Sequence, residues 1–256
     1  MANALTNSKT FQAVSLSWPY AGKSEPVPFG GRPKLRYEVG NDTIKATNSD
    51  GHEFVFETPG IAQGFPFSSP ATYEIKDANG TTLQKLQIWA PAVDGVRLTY
   101  LREAWLYDET EDQVGRAWLD QMIFGFETPT NDMPVSGAGV YSTAINASGW
   151  ASGRLYSFFQ DAKATFDVNF GTGKISTNIF LVGIDSDRSS TFDFGVIFGT
   201  GSIAGKGPGF SGIFDDGKGV FQGAFFGPAA AEMGYHFVFR DDLLDARGSV
   251  VGRKKP

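Results

Sequence analysis

Apolar and polar residues alternate with a period of two over much of the chain, beginning with Leu35, Tyr37 and Val39 and resuming at Ile44 and Ala46 after a turn at Gly40-Asn41-Asp42. A second turn, Asn48-Ser49-Asp50-Gly51, leads into Phe54-Val55-Phe56, so residues 35–56 read as a β-meander. Tyr73 to Lys76 and Leu83 to Ile88 read as a hairpin around Asp77-Ala78-Asn79-Gly80, because Asn-Gly readily supplies the left-handed backbone of a type I′ turn. Val96 to Tyr100 continues in strand fashion, and Trp89, Trp105, Tyr107 and Trp118 are expected to supply the bulk of an N-terminal core. The acidic run from Asp108 to Asp112 reads as a solvated hairpin loop, with contact to a cation or basic partner as the other reading.

The segment Glu127 to Pro134 holds two prolines and no periodic apolar pattern, which places a domain boundary there and divides the chain into residues 1–133 and 134–256. Beyond it the alternation sharpens. Ala164, Phe166, Val168 and Phe170 share one face, and after the turn Gly171-Thr172-Gly173 the pattern resumes at Ile175, Thr177, Ile179 and Leu181. Phe192, Phe194, Val196 and Phe198 follow as another such face, then Ile203, Phe210, Phe214, Phe221 and Phe225, with glycine in or beside nearly every strand. Repeated phenylalanine on one face with glycine in the strands suits a small closed barrel of about eight antiparallel strands, whose lumen the rings fill. The best helical candidate is one turn, Pro228 to Met233, stopped by Gly234. The fold class is therefore all-β.

Composition narrows the function. The 256 residues carry 32 Gly and 23 Phe, a formal net charge of -6 and no cysteine. An acidic chain lacks the basic stripe that duplex nucleic acid requires. Without cysteine there is no disulfide, thiolate nucleophile, Cys-based metal site or lipid-acceptor thiol. The first residues lack the charged and apolar regions of a secretory signal, so the expectation is that a leader has been removed or that export does not use one. No stretch approaches the roughly 20 apolar residues of a membrane helix, so no insertion of this chain is expected by that route. Enzyme readings lack parts: there is no Gly-x-Ser-x-Gly elbow, no His-Glu-x-x-His and no phosphate loop followed by a helix, and the only histidines are His52 and His236. Asp215-Asp216 and Asp241-Asp242 lie beside strand ends, where turn duty accounts for them.

The segment Gly219 to Gly234, GVFQGAFFGPAAAEMG, resembles the signature of the transferrin-binding protein B-like barrel family, a Gly-x-Phe-x-Gly-x-Phe-Tyr/Phe-Gly-Pro strand and turn followed by Ala-x-Glu and Gly-Gly. Its residues Gly223, Phe225, Gly227, Pro228, Glu232 and Gly234 are structural in the family. Met133 to Tyr141, Phe170 to Ser176 and the ending Gly252 to Lys255 fall in the family's order, and the N-terminal half resembles the family's handle domain through its strand pattern and Tyr100. One departure stands out: the second Gly of Gly-Gly is Tyr235, followed by His236. The resemblance implies an extracellular or outer-membrane surface protein of bacteria that captures haem or a host iron-carrier protein and passes it to an outer-membrane TonB-dependent transporter. The family also includes relatives that bind complement regulators or have no known ligand.

Two functions follow. In the first, haem is the cofactor or cargo, with His52 as iron ligand because neutral imidazole is the best such group in the chain, and with Trp89, Tyr100, Trp105 and Trp118 lining an apolar cleft in the N-terminal domain. Tyr107 and Tyr20 are the next candidate ligands. His236, between the inward Tyr235 and Phe237, is expected to point outward and to be exposed. In the second, loop tips and the barrel rim recognise a partner protein through aromatic anchors.

Overall fold

The computed structural model describes residues 7–18, 25–40, 43–57, 71–108, 118–158, 162–187 and 190–256, the side chains of 18 and 118 excepted. Tyr20 and residues 109–112 of the acidic run lie outside the described residues. The chain divides into two compact units, one of Met1–Pro91 with Thr99–Glu127, the other of Ala92–Leu98 with Thr128–Pro256. Among the described residues no helix is long and apolar enough to cross a membrane, which leaves strands aside.

In the first unit the strands are β1 (Lys9–Trp18), β2 (Pro26–Val27), β3 (Lys34–Glu38), β4 (Thr43–Thr47), β5 (Glu53–Glu57), β6 (Ala71–Lys76) and β7 (Thr82–Trp89). After the short pair β8 (Ala92–Val93) and β9 (Val96–Arg97), which belongs to the second unit, come β10 (Leu101–Asp108) and β11 (Trp118–Gly125). The sheet runs β5-β4-β3-β1-β11-β10-β7-β6, with β2 added on β1. The meander of β3 to β5 is as the alternation predicts. A single apolar cluster draws Phe54 and Phe56 from one end of this order and Tyr73 from the other, together with Phe11, Tyr37, Leu106 and Phe124. The sheet therefore curls around one core. Trp89, Trp105 and Tyr107 do not build it: all three are half-buried on the opposite face, because alternation hands the core positions of β7 and β10 to Leu86, Ile88, Ala104 and Leu106, and the Trp118 side chain lies outside those described.

Two turns differ in chemistry from the sequence reading. The β6–β7 turn is organised by Asp77, whose Oδ1 accepts the N–H groups of Asn79 and Thr81 at 2.8 Å, with Gly80 alone at positive φ. Val96 to Tyr100 is not one strand. Asp94 and Gly95 both have positive φ, 51° and 76°, and close the two-residue hairpin of β8 and β9.

The second unit is an antiparallel barrel of β12 (Ala138–Ala151), β13 (Arg154–Phe158), β14 (Lys163–Asn169), β15 (Lys174–Asp185), β16 (Thr191–Ile203), β17 (Gly209–Phe214), β18 (Gly219–Phe226), β19 (Glu232–Arg240) and β20 (Asp245–Lys254). β13 and β14 share one position between β12 and β15, and β20 pairs back with β12, which closes an eight-position ring. Phe166, Phe221 and Phe225 are fully buried inside, and Phe194 packs against the same cluster from its edge. The Phe210 ring lies 4.9 Å from Phe225 and 5.2 Å from Phe166. Glycine makes room for these rings. A Cβ at Gly223 would come within 2.3 Å of Phe210, and one at Gly212 within 2.2 Å of Phe221.

The helical turn expected over residues 228–233 shrinks to a 3-10 turn at Pro228–Ala230, since Glu232 and Met233 already pair in β19. Tyr235 fills the lumen between Phe166 and Phe221 at 5.9 and 5.4 Å. Its hydroxyl lies 2.8 Å from Thr177 Oγ1, which spends its own proton on Thr165 O at 2.7 Å, so Tyr235 is the donor.

Candidate functional site

One concavity at an end of the barrel is built by a fault in the alternation. β15 and β16 pair Phe180 with Val196 but Val182 with Asp193, a shift of register centred on Gly195, whose φ is 83° and whose N–H bonds Asp193 Oδ1 at 2.8 Å. The bulge turns Ile197 and Gly199 inward in place of Val196 and Phe198. Phe198, expected inside with Phe192 and Phe194, is instead 59% exposed. Phe192 and Phe194 remain at the barrel mouth with Tyr156, at ring separations of 4.6 Å (Phe192–Phe194) and 5.0 Å (Tyr156–Phe194).

Here lies a cavity of about 400 Å³ whose apolar walls include Tyr156, Phe192, Phe194, Phe239, Leu243 and Leu244. Phe192 and Leu243 are 53% and 76% exposed, which is an unusual cost for large apolar side chains on a mouth that could have been closed. The charged lining is Asp193, Asp215, Asp241 and Lys218. Each aspartate is oriented by the backbone: Asp215 Oδ1 accepts the Phe198 N–H at 3.0 Å, and Asp241 Oδ1 accepts those of Leu243 and Leu244 at 2.8 Å. The turn duty read for Asp215 and Asp241 is thus visible, but the same geometry sets their carboxylates around an apolar hollow. No local motif marks this set, because its members come from five strand ends brought together only by barrel closure.

The residues singled out in the N-terminal unit are not gathered in one place. His52 is exposed in the β4–β5 turn, where its N–H bonds Asn48 Oδ1 at 2.8 Å. The neighbouring Ser49 hydroxyl donates to Asp120 Oδ1 at 2.8 Å, and Asp120 lies opposite Leu106, on the core face of the sheet. Burial of Asp120 raises its pKa to about 6 despite the Ser49 bonds. Trp105 and Tyr107 occupy the other face of β10. There Trp105 stacks edge-on against Trp89 at 5.1 Å, Trp89 Nε1–H donates to Glu103 at 3.1 Å, and Lys85 Nζ lies 4.4 Å over the Tyr107 ring.

His236 does point away from the lumen, as its neighbours required, but it is only 1% exposed instead of lying free on the wall. Alternation fixes which way a side chain points and says nothing of what lies against it. Burial pushes its pKa down to about 3, opposed by a long contact of Nδ1 to Gly248 O at 3.4 Å, and Nε2 finds no partner. The signature residues carry structure. Gly227 sits at φ 74° and ψ 179°, a region essentially reserved for glycine, and its carbonyl accepts the Thr128 hydroxyl at 2.7 Å. Phe225 and Glu232 are buried, and Pro228 opens the 3-10 turn.

Comparison with known proteins agrees with this geometry. The family described as C-lobe and N-lobe beta barrels of Tf-binding protein B matches residues 131–254. Those residues belong to that family. Among solved structures, a double mutant of the vaccine antigen transferrin-binding protein B from Haemophilus parasuis aligns over 95% of this chain at 22% identity, with a TM-score of 0.52. Isotype 1 transferrin-binding protein B from serogroup B Neisseria meningitidis aligns over 96% at 18% identity and a TM-score of 0.51. Intact Ap-TbpB, with its N and C lobes, aligns over 95% at 19% identity and a TM-score of 0.51. At these identities the likeness concerns fold. The chain spans 44% of the Haemophilus and Neisseria proteins and 46% of Ap-TbpB, a little under half of each. No curated protein sequence matches the chain.

Proposed function

We propose that this protein is a surface-exposed or secreted bacterial binding protein for iron acquisition, which captures a host iron-carrier protein of the transferrin class and presents it to an outer-membrane transporter. The observation that carries the reading is the barrel mouth: a transferrin-binding protein B-like barrel whose lumen is packed with rings leaves exposed aromatic and aliphatic anchors around a hollow at one end. Such a surface suits a protein partner, because a few desolvated aromatic anchors supply most of the energy of an interface. With the full chain immobilised, iron-loaded transferrin is expected to bind saturably, and Phe192→Ala to weaken binding at least tenfold. No binding of transferrin or lactoferrin from several mammalian hosts would overturn the reading.

Haem capture, with His52 as iron ligand, is the second proposal. It rests on the imidazole alone, since His52 stands in an exposed turn and Trp105 and Tyr107 lie on the far face of the sheet from the Asp120 that its turn contacts. A haem titration reads it directly: a Soret shift lost in His52→Ala and kept in His236→Ala would establish it.

A further inference from the structure

The mouth cavity has a chemical bias that the reading above does not use. Its apolar lining holds three carboxylates, Asp193, Asp215 and Asp241, against one ammonium, Lys218. Among the described residues, three arginines of the neighbouring strands are tied elsewhere: Arg154 to Asp185 at 3.3 Å, and Arg240 and Arg247 both to Asp245 at 3.2 and 3.0 Å. A cavity of about 400 Å³ with rings on one side is large enough for a phenyl or branched aliphatic side chain. Carboxylates around such a hollow repel an acidic segment and attract a basic one, and their effect is strengthened by the low-dielectric walls.

We infer that the barrel mouth receives an apolar side chain flanked by lysine or arginine, presented on a loop of the protein partner. The inference rests on the mouth being the docking surface. The apolar side chain enters between Phe192, Phe194 and Leu243, and the flanking cation stands against Asp193 and Asp241. Asp193 and Asp241 each accept backbone N–H groups through Oδ1, so asparagine at either position keeps that acceptor and removes only the charge.

The test uses the full chain and two capped tripeptides, Lys-Phe-Lys and Glu-Phe-Glu, followed by saturation-transfer NMR at low salt. Lys-Phe-Lys is expected to bind saturably and Glu-Phe-Glu not to bind. The double variant Asp193→Asn with Asp241→Asn should weaken Lys-Phe-Lys at least fivefold, and Phe192→Ala should abolish its signal; both variants are first shown to melt like the wild type. Equal binding of the two peptides, no binding of Lys-Phe-Lys, or Lys-Phe-Lys binding that survives both variants would overturn the inference. Transferrin capture that is lost in Phe192→Ala but unchanged in the double asparagine variant would overturn this charge preference while leaving the docking surface in place. A free organic cation is separated from a protein segment by benzyltrimethylammonium: binding of that ion with no binding of Lys-Phe-Lys would assign the mouth to a small ligand and refute the inference.

Discussion

Phe225 and Gly223 occupy alternate inward positions of one strand and show how the lumen is filled, the ring by its own bulk and the glycine by what it leaves vacant. Phe225 is fully buried, and truncation to alanine should cost roughly 3–5 kcal/mol, the usual range for a large core ring. Gly223→Ala adds one carbon but places it 2.3 Å from the Phe210 ring and 2.7 Å from Gly234 O, so it should cost about 1–3 kcal/mol through overpacking. Urea titration of both variants checks the pair; a neutral Gly223→Ala would mean that the rings have room to shift. Two buried titratable groups give the molecule opposed responses to acid. His236, held down to about 3 from the ordinary imidazole value of 6.5, contributes stability that is complete above pH 6.5 and is lost as pH falls toward 3. Asp120, raised from 3.8 to about 6, acts in the other sense: its contribution is complete below pH 3.8 and is lost as pH rises through 6. Between pH 4 and 6 the two slopes oppose one another. Asp120→Asn should therefore steepen the loss of stability on acidification in that window, toward about 1.4 kcal/mol per pH unit, and His236→Gln should reverse it, so that stability rises on acidification by up to about the same amount. Denaturant midpoints at pH 7, 6, 5 and 4 measure both, and parallel profiles for all three proteins would contradict the assignment.

At the scale of elements, what could be read in advance was alternation and turn chemistry, and the readings fail where a residue outside the period intervenes. From Ala164 to Leu181 the inward set matches the burial of Phe166, Val168, Ile175, Ile179 and Leu181 because no bulge interrupts β14 or that part of β15. In β16 the unbroken spacing of Phe192, Phe194, Val196 and Phe198 suggests one face, yet Gly195 at positive φ resets the phase and sends Phe198 outside. Nothing in the period announces this; a glycine two residues after an aspartate, between Phe194 and Val196, was the available sign, since the Asp193 carboxylate caps the bulge. The mouth was less legible still, because Tyr156, Asp193, Asp215 and Leu243 are brought together by strand order and not by sequence spacing. A bulge held by a left-handed glycine makes its own prediction. Gly195→Ala has open space around the added carbon, so its cost is conformational, about 1 kcal/mol. A larger loss, or any loss of Phe192-dependent binding, read by urea melts and transferrin capture, would show that the bulge also positions the mouth.

For the whole molecule, the units part between Glu127 and Thr128, at the start of the proline-bearing segment 127–134. Thr128 belongs with the barrel: its N–H bonds Phe225 O at 3.0 Å and its hydroxyl Gly227 O at 2.7 Å. Asp132 Oδ2 accepts the Ala229 N–H at 3.0 Å, so the segment before β12 pins the same signature turn from a second side. The short pair β8 and β9 is also a part of the second unit, with Val93 and Leu98 buried and β8 against β12 and β20. A barrel fragment therefore depends on where it is cut. Residues 128–256 retain the Thr128 and Asp132 bonds, whereas residues 134–256 lose all three, each worth on the order of 1 kcal/mol, and leave Gly227 O without its buried donor. Both fragments should give β-type circular dichroism. The longer should melt several degrees higher and unfold cooperatively, and both should fall below the full chain, which alone supplies residues 92–98. Coincident melting of the two fragments would show that the 128–133 segment follows the barrel fold without supporting it; a disordered longer fragment would show that the hairpin of residues 92–98, or the first unit itself, is required for the ring to close.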